Sequence, residues 1–270
     1  VRLPDFIIAG APRSATTWLY RLAERHPSLA MAKPVAPEPK FFLVDELYER
    51  GLEHYARTWF ADLPADRLAG EKSTNYLESP VAARRIHAAL PGVKLVFLLR
   101  DPVDRAHSNY RWSRQNGRET ETFERALELE EERERTLPAA HRYARPHAYF
   151  SRGLYAAQLR IYVELFGRDG MLVLKTEDVA ANPHSVANRL FAFLGVEPMP
   201  QLADDLGAVN AAASDRDTTL DARVRDDLAA RYREPNRELC ELLGPEFVPW
   251  SAEEALTRSR APAVLRASAG

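Results

Sequence analysis

Apolar residues along this chain gather into short unbroken runs, separated by stretches of helical spacing. Asp5-Phe-Ile-Ile-Ala9 is a β-branched run that reads as a buried strand. Gly10-Ala-Pro-Arg-Ser-Ala-Thr-Thr17 follows at once. From Thr16 the pattern turns helical, with Leu19, Leu22 and Ala23 at three- and four-residue spacing, up to His26-Pro27. The chain therefore opens strand, tight loop, helix. Phe41-Phe-Leu-Val44 is a second apolar run, led in by the Pro-rich segment Lys33–Pro39, whose prolines favour extended backbone. Leu52–Phe60 reads as a helix, Ala69–Lys72 as a short strand end, and Val81–Leu90 as a helix closed by the turn Pro91-Gly92. Val93-Lys-Leu-Val-Phe-Leu-Leu99 is the strongest strand, and its nearly continuous apolar character fits a central parallel strand covered on both faces. Asp101 and Pro102 then supply an N-cap and a first-turn proline for a new helix. Farther on, Gly153–Phe166, Val186–Leu194 and Asp221–Leu243 carry helical stripes, and Gly170–Leu174 reads as a strand. Arg118–Arg135, dense in Glu and Arg, reads as a solvated helix face laced with i,i+4 pairs.

Strands alternating with helices predict an α/β fold: a central parallel β-sheet flanked by helices, with ligands at the carboxyl ends of the strands. Residues 1–256 read as a single domain. Thr257–Gly270, built of Ala, Ser and Arg with little periodicity, reads as a flexible tail. Composition narrows the function classes. With 37 Lys plus Arg against 39 Asp plus Glu the formal charge is −2, so no bulk basicity argues for nucleic acid and any anion site must be local. The lone Cys240 excludes an intrachain disulfide framework and a multi-cysteine zinc site. No apolar run approaches the ~18 residues of a membrane span, and Val1–Gly10 has no secretory-signal pattern. These features predict a soluble, cytoplasmic protein without a membrane partner.

The candidate chemistry starts at Gly10–Thr17. Where a strand hands over to a helix, backbone N–H groups and the positive helix end favour a phosphate. Ser14, Thr16 and Thr17 add hydroxyl donors, and Arg13 adds a permanent fork-shaped cation. The bland alternative is a capping cluster with a surface Arg. The segment is P-loop-like, yet an ATPase P-loop would need G-x-x-x-x-G-K-[ST], and Ala15 and Thr16 stand near the slots of its second Gly and Lys. The strand that would carry a Mg-binding Asp ends Leu98-Leu99-Arg100 instead. Arg at both strand ends suits a ligand with several phosphates and no metal. In Arg100-Asp-Pro-Val-Asp-Arg-Ala-His-Ser108, Ser108 lies about two helical turns in, so the chain must fold back to bring it to Arg100. Asp101 reads as a helix cap, Arg105 as a partner for a carboxylate, and His107 as packing or surface.

These residues carry a family resemblance. Gly10–Trp18 resembles the 5′-phosphosulfate loop of sulfotransferases that use 3′-phosphoadenosine 5′-phosphosulfate (PAPS), leaving the bisphosphate PAP as product. Arg100–Tyr110 resembles their 3′-phosphate motif, in which the leading Arg and the Ser eight residues later hold the extra phosphate. The likeness continues through Glu71-Lys-Ser-Thr-Asn-Tyr76, Ser151-Arg-Gly-Leu-Tyr155 and Arg233-Glu-Pro-Asn236, covers most of the chain, and is closest to the heparan-sulfate type.

The resemblance implies roles. Arg13 stands where relatives place the basic residue that touches the oxygen bridging sulfate and phosphate. Because Arg stays protonated, its part is charge rather than proton donation. Ser14, Thr16 and Thr17 match the donors to the 5′-phosphate. Ala15 departs from the usual Gly and narrows the approach of backbone to phosphate. Trp18 matches an aromatic beside adenine, with a core Trp as the alternative. Glu38, in Pro37-Glu-Pro-Lys-Phe-Phe42, matches the catalytic base of glycosaminoglycan members. Lys72 matches a lysine near the acceptor and the transferred sulfate, with a surface salt bridge to Glu71 as the alternative. The family's basic, cysteine-closed cofactor loop is missing, and Arg216 is the replacement candidate. The implied reaction is metal-independent sulfuryl transfer from PAPS to a hydroxyl of a carbohydrate or small molecule. A kinase on the same fold and a non-catalytic nucleotide-binding protein are the alternatives.

Overall fold

The computed structural model describes residues 1–138, 143–204, 206–207 and 220–250. Five strands form one sheet: β1 (Phe6–Gly10), β2 (Leu29–Met31), β3 (Leu68–Lys72), β4 (Lys94–Leu99) and β5 (Met171–Lys175), in the order β2-β3-β1-β4-β5. Every neighbouring pair is parallel, so all five strands end on the same side. Between them run α1 (Thr16–Arg25), α2 (Asp45–Tyr48), α3 (Gly51–Trp59), α4 (Pro80–Ala89), α5 (Pro102–Gln115), α6 (Phe123–Glu128), α7 (Glu130–Thr136) and α8 (Tyr155–Phe166). After β5 come α9 (Thr176–Ala181), α10 (Pro183–Leu194) and α11 (Ala222–Leu243).

The two-residue period of the strands sorts the core into layers. Ile7, Ala9, Leu95, Phe97 and Leu99 face a core shared with α3, α4, α8 and the end of α11. Phe6, Ile8, Val96 and Leu98 face the opposite core, built from α1 and α10. β1 is buried along its whole length, and β4 at every residue after Lys94, as continuous apolar runs require of strands covered on both faces. A satellite core of Val103, Ala106, Tyr110, Phe123, Tyr149, Leu228 and Tyr232 packs α5 against α6 and α11. Among the described residues, no helix is long and apolar enough to cross a membrane.

Most of the predicted elements are present, and the readings of Arg118–Arg135 and Arg105 need correction. Phe41–Val44 forms a turn, with Phe41 and Phe42 buried against Tyr55, while the strand pairing with β3 is the short Leu29–Met31. Apolar character there serves burial of two aromatic rings, not a sheet ladder. Arg118–Arg135 is not one solvated helix face: it breaks into α6 and α7, and Glu119 and Glu130 are buried. Glu130 accepts the backbone N–H groups of Phe150 and Ser151. Burial works against the Glu119 carboxylate, yet the N–H of Glu121, the Tyr149 hydroxyl and Arg133 carry it below its ordinary value. Arg105 meets no carboxylate among the described residues. It is wholly buried, its Nη2 donates to the Tyr149 carbonyl, and its other guanidinium N–H groups, at Nε and Nη1, have no hydrogen-bond partner. Arg216 and the tail Thr257–Gly270 lie outside the described residues.

Candidate active site

The all-parallel sheet brings the carboxyl ends of β1, β3 and β4 side by side, so three distant motifs meet. Lys72 at the end of β3 stands opposite Ile8, and Phe97 of β4 stands opposite Gly10. Gly10 is required at the turn out of β1, because a Cβ there would fall 2.6 Å from the Leu77 Cβ. The loop that follows places Arg13 and Ala15 in left-handed backbone, at φ 68° and 59°. The Ala15 methyl is buried in the α1-side core. Thr176, at the head of α9, pins the loop: its hydroxyl donates to the carbonyls of Ser14 (3.1 Å) and Leu99 (2.9 Å).

Arg13, Arg100 and Ser108 converge as the two motifs require. Arg13 Nε donates to Ser108 Oγ at 3.3 Å, and Arg100 Nη1 donates to the Arg13 carbonyl at 3.4 Å. Asp101 caps α5 by accepting the N–H groups of Val103 and Asp104, which sets the helix phase that returns Ser108 toward the loop. The Tyr155 hydroxyl donates to the Arg100 carbonyl at 2.9 Å, so the Ser151–Tyr155 motif holds the same strand end. Burial, together with the charges of Arg100, Arg105 and Arg111, lowers the Arg13 pKa. The same cationic surroundings act on His107. Burial first, then Arg111, Arg225 and Arg100, push its imidazole down to about 4 against the pull of Asp104, and it packs on Tyr110 and Phe123 as a neutral ring. Inside this cluster Ser14 is fully buried and its hydroxyl has no partner among the described residues. Thr16 is buried and Thr17 exposed at the start of α1, while Trp18 is 6% exposed and belongs to the α1-side core.

The second half of the site is a buried ion pair. Lys72, with a 7% exposed side chain, pairs with Glu38, whose side chain is 14% exposed. Thr74 completes the hold, its N–H donating to Glu38 at 3.1 Å and its hydroxyl reaching both carboxylate oxygens at 3.1 and 3.2 Å. Lys72 thus pairs with Glu38 and not with Glu71, which is wholly buried on the other side of β3. Beyond Thr74, Glu78 takes Arg145 and Arg152, each at 2.8 Å. Lys40 sits near Glu38, Lys72, Arg152 and Glu78, and burial lowers its pKa. Arg111, Thr74 and Thr176 carry no individual signal in the sequence, and Arg105 reads there as a carboxylate's partner rather than as part of this cluster. Thr74 lay inside a motif already quoted, and Thr176 follows directly on a strand's carboxyl end, where ligand-side residues gather. Among the described residues, no group of three His, Cys, Asp or Glu is placed to hold a metal ion.

A phosphate-type loop at the mouth of an all-parallel sheet, a knot of arginines, and a buried Glu–Lys pair beside it define an anion-binding α/β group-transfer enzyme. Residues 3–208 match the sulfotransferase domain family, and the chain belongs to it. It is 25% identical over 280 residues to the human bifunctional heparan sulfate N-deacetylase/N-sulfotransferase 3, covering 94% of this chain and 32% of that protein. The chain spans between about a fifth and a third of the length of the first curated relatives. Among solved structures, the sulfotransferase from Alicyclobacillus acidocaldarius superposes with a TM-score of 0.74 at 31% identity, over 90% of this chain and 96% of that one. Mouse sulfotransferase SULT7A1 complexed with PAP gives 0.51 at 19%, over 90% and 83%, a likeness of fold alone.

Proposed function

We propose that the protein, as one sulfotransferase unit over residues 1–256, moves the sulfuryl group of PAPS to a hydroxyl of a carbohydrate or small-molecule acceptor. The observation that carries this is the convergence, at the carboxyl ends of β1, β3 and β4, of the Arg13–Arg100 cluster and the Glu38–Lys72 pair. The donor set fits the cosubstrate. The partnerless, buried Ser14 hydroxyl supplies a donor for a phosphate oxygen, and Arg13 meets mainly burial and like charge until an anion arrives. A relative of the same fold is complexed with PAP, the product such a reaction leaves.

In this reading Ser14, Thr16, Thr17 and the N–H groups around Ala15 hold the 5′-phosphate, and Arg100 and Ser108 hold the 3′-phosphate. Trp18 supports the loop from the core, and Arg216, outside the described residues, is the candidate to replace the basic cofactor loop. PAPS supplies an activated sulfuryl group on a phosphosulfate anhydride. Glu38 accepts the acceptor's hydroxyl proton as the new S–O bond forms. Lys72 and Arg13 stabilise negative charge on the sulfuryl oxygens and on the bridging oxygen that departs with the 5′-phosphate. The permanent charges of Arg13 and Arg100 serve where a nucleotide hydrolase would use Mg²⁺, so the transfer is metal-independent. The heparan sulfate enzymes among the relatives support a carbohydrate acceptor.

Incubation with ³⁵S-labelled PAPS, a panel of saccharide and phenolic acceptors, and EDTA tests the proposal. Sulfated product in step with released PAP is the expected result. Phosphoryl transfer from ATP–Mg²⁺ would point to a kinase, and bisphosphate binding without transfer to any acceptor would point to a non-catalytic protein.

A further inference from the structure

Beneath the Glu38–Lys72 pair lies a second carboxyl that the proposed mechanism does not use. Glu71 is wholly buried on β3, one residue before Lys72. Strand alternation sends Lys72 and Glu71 to opposite faces of β3; Lys72, with Thr74 on the turn beyond, meets the Glu38 carboxylate, and Glu71 is buried with Ser73. The buried residues grip the backbone just past Glu38. Ser73 Oγ accepts the Lys40 N–H at 2.9 Å, and the Tyr76 hydroxyl accepts the Phe42 N–H at 3.3 Å. Both side chains in turn meet Glu71. Ser73 Oγ donates to Glu71 Oε2 at 3.4 Å, and the hydroxyls of Tyr76 and Tyr55 face its carboxyl. Tyr55 also stacks on Phe41, with ring centroids 4.4 Å apart.

We infer that Glu71 is a positioning residue for the sulfuryl transfer: through Ser73 and Tyr76 it fixes residues 40–42, and so holds the Glu38 carboxylate at Lys72 and Thr74. The inference rests on the reading of Glu38 as base. The groups facing Glu71 are Tyr76 on the turn after β3, Tyr55 on α3, Ser73 on its own strand, and Glu38 on the loop above. Burial is the largest influence on the carboxyl, with the negative charge of Glu38 acting the same way and the three hydroxyls opposing. The balance raises it to about 8, so it is a neutral acid at pH 7. A neutral hub can hold two hydroxyls without placing a second negative charge beside the base. Above pH 8 its ionisation would do so.

Three variants test this: Glu71→Leu, which fills the space without hydrogen bonding, Glu71→Gln, which keeps a neutral hydrogen-bonding group of the same size, and Glu38→Gln. Glu71→Leu is expected to lower kcat by about 10²-fold, the cost of a misplaced catalytic group, with the Kd for PAP within about threefold of wild type. Glu71→Gln is expected to recover most of that loss, and to lack the alkaline fall in kcat near pH 8 that is expected of wild type. A folded Glu71→Leu with wild-type kcat, beside an inactive Glu38→Gln, overturns this inference alone. Full activity of Glu38→Gln overturns the base reading and this inference with it. If Glu71→Leu does not fold, the pH profile of Glu71→Gln decides, and an alkaline limb that persists in it overturns the inference.

Discussion

The proposed chemistry turns on the Glu38–Lys72 pair, and its burial makes its energetics measurable apart from catalysis. With side chains 14% and 7% exposed, neither charge is well hydrated once its partner is gone. Breaking a buried pair costs about 3–5 kcal/mol. Lys72→Met leaves Glu38 its Thr74 N–H and hydroxyl, which offset part of this, so a loss of about 2–4 kcal/mol is expected. Glu38→Gln strands Lys72 and should cost a similar amount. The double variant removes both charges, and Met restores apolar packing, so its loss should fall well short of the sum, giving a coupling energy of about 2 kcal/mol. At an unfolding entropy of about 2.1 cal/mol/K per residue, a loss of 3 kcal/mol lowers Tm by roughly 5 °C in a chain of this length. Urea unfolding of wild type, both single variants and the double variant is the assay, with unchanged m-values as the check on two-state behaviour. Single-variant losses that add to within about 0.5 kcal/mol would refute the coupling, and with it the view that these two side chains form one buried unit. In turnover, either single variant should lose about 10²–10⁴-fold with PAP affinity little changed.

Other expectations follow from the loop and from the two shifted titrating groups. Gly10→Ala sets a methyl 2.6 Å from the Leu77 Cβ and should cost about 1–3 kcal/mol in urea unfolding. Added to Leu77→Gly, which removes that Cβ, the same change should cost less than it does alone, and equal costs would show that the close approach is not the cause. Glu71, ordinarily near 4.5 and raised to about 8 in the fold, binds a proton that the unfolded chain has lost, so its contribution makes stability fall as pH rises between those values. His107, lowered from 6.5 to about 4, has the opposite sign: the unfolded chain binds the proton first, so stability rises from pH 4 to 6.5. Above pH 6.5 only the Glu71 effect remains of the two, at most about 1.4 kcal/mol per pH unit. Urea midpoints from pH 6.5 to 8 should therefore fall in wild type more steeply than in Glu71→Gln, and parallel slopes would contradict the assignment.

The strands and helices that face two cores were legible because their periodicity is dictated by burial: the apolar runs of β1 and β4, the stripe of α1 and the Asp101-Pro102 start of α5 all stand where the pattern put them. The three-residue β2 is too short to carry a period, and the Phe41–Phe42 turn mimics a strand by burying two consecutive rings. Charge density misled over Arg118–Arg135, since a buried Glu with backbone N–H partners looks the same in sequence as a solvated one. At the site, Arg13, Arg100 and Ser108 were legible from their motifs, and the parallel sheet explains why they meet. What the pattern could not give was pairing. That Lys72 holds Glu38 and not its neighbour Glu71, and that Arg105 adds its charge to the cluster without a carboxylate, depend on which face of a strand or helix each side chain leaves.

Recognition of a 3′-phosphate by Arg100 separates a PAPS enzyme from other users of a phosphate loop, and calorimetry measures it directly. Titration of wild type in EDTA with PAP and with adenosine 5′-phosphate should show PAP bound more tightly, by about 10²–10⁴-fold for charge-assisted contacts of about 1.5–3 kcal/mol from each of Arg100 and Ser108. Arg100→Ala should erase most of that preference while leaving adenosine 5′-phosphate affinity nearly unchanged. Equal affinities for the two nucleotides in wild type, or equal losses for both in Arg100→Ala, would contradict the assignment of this site to PAPS.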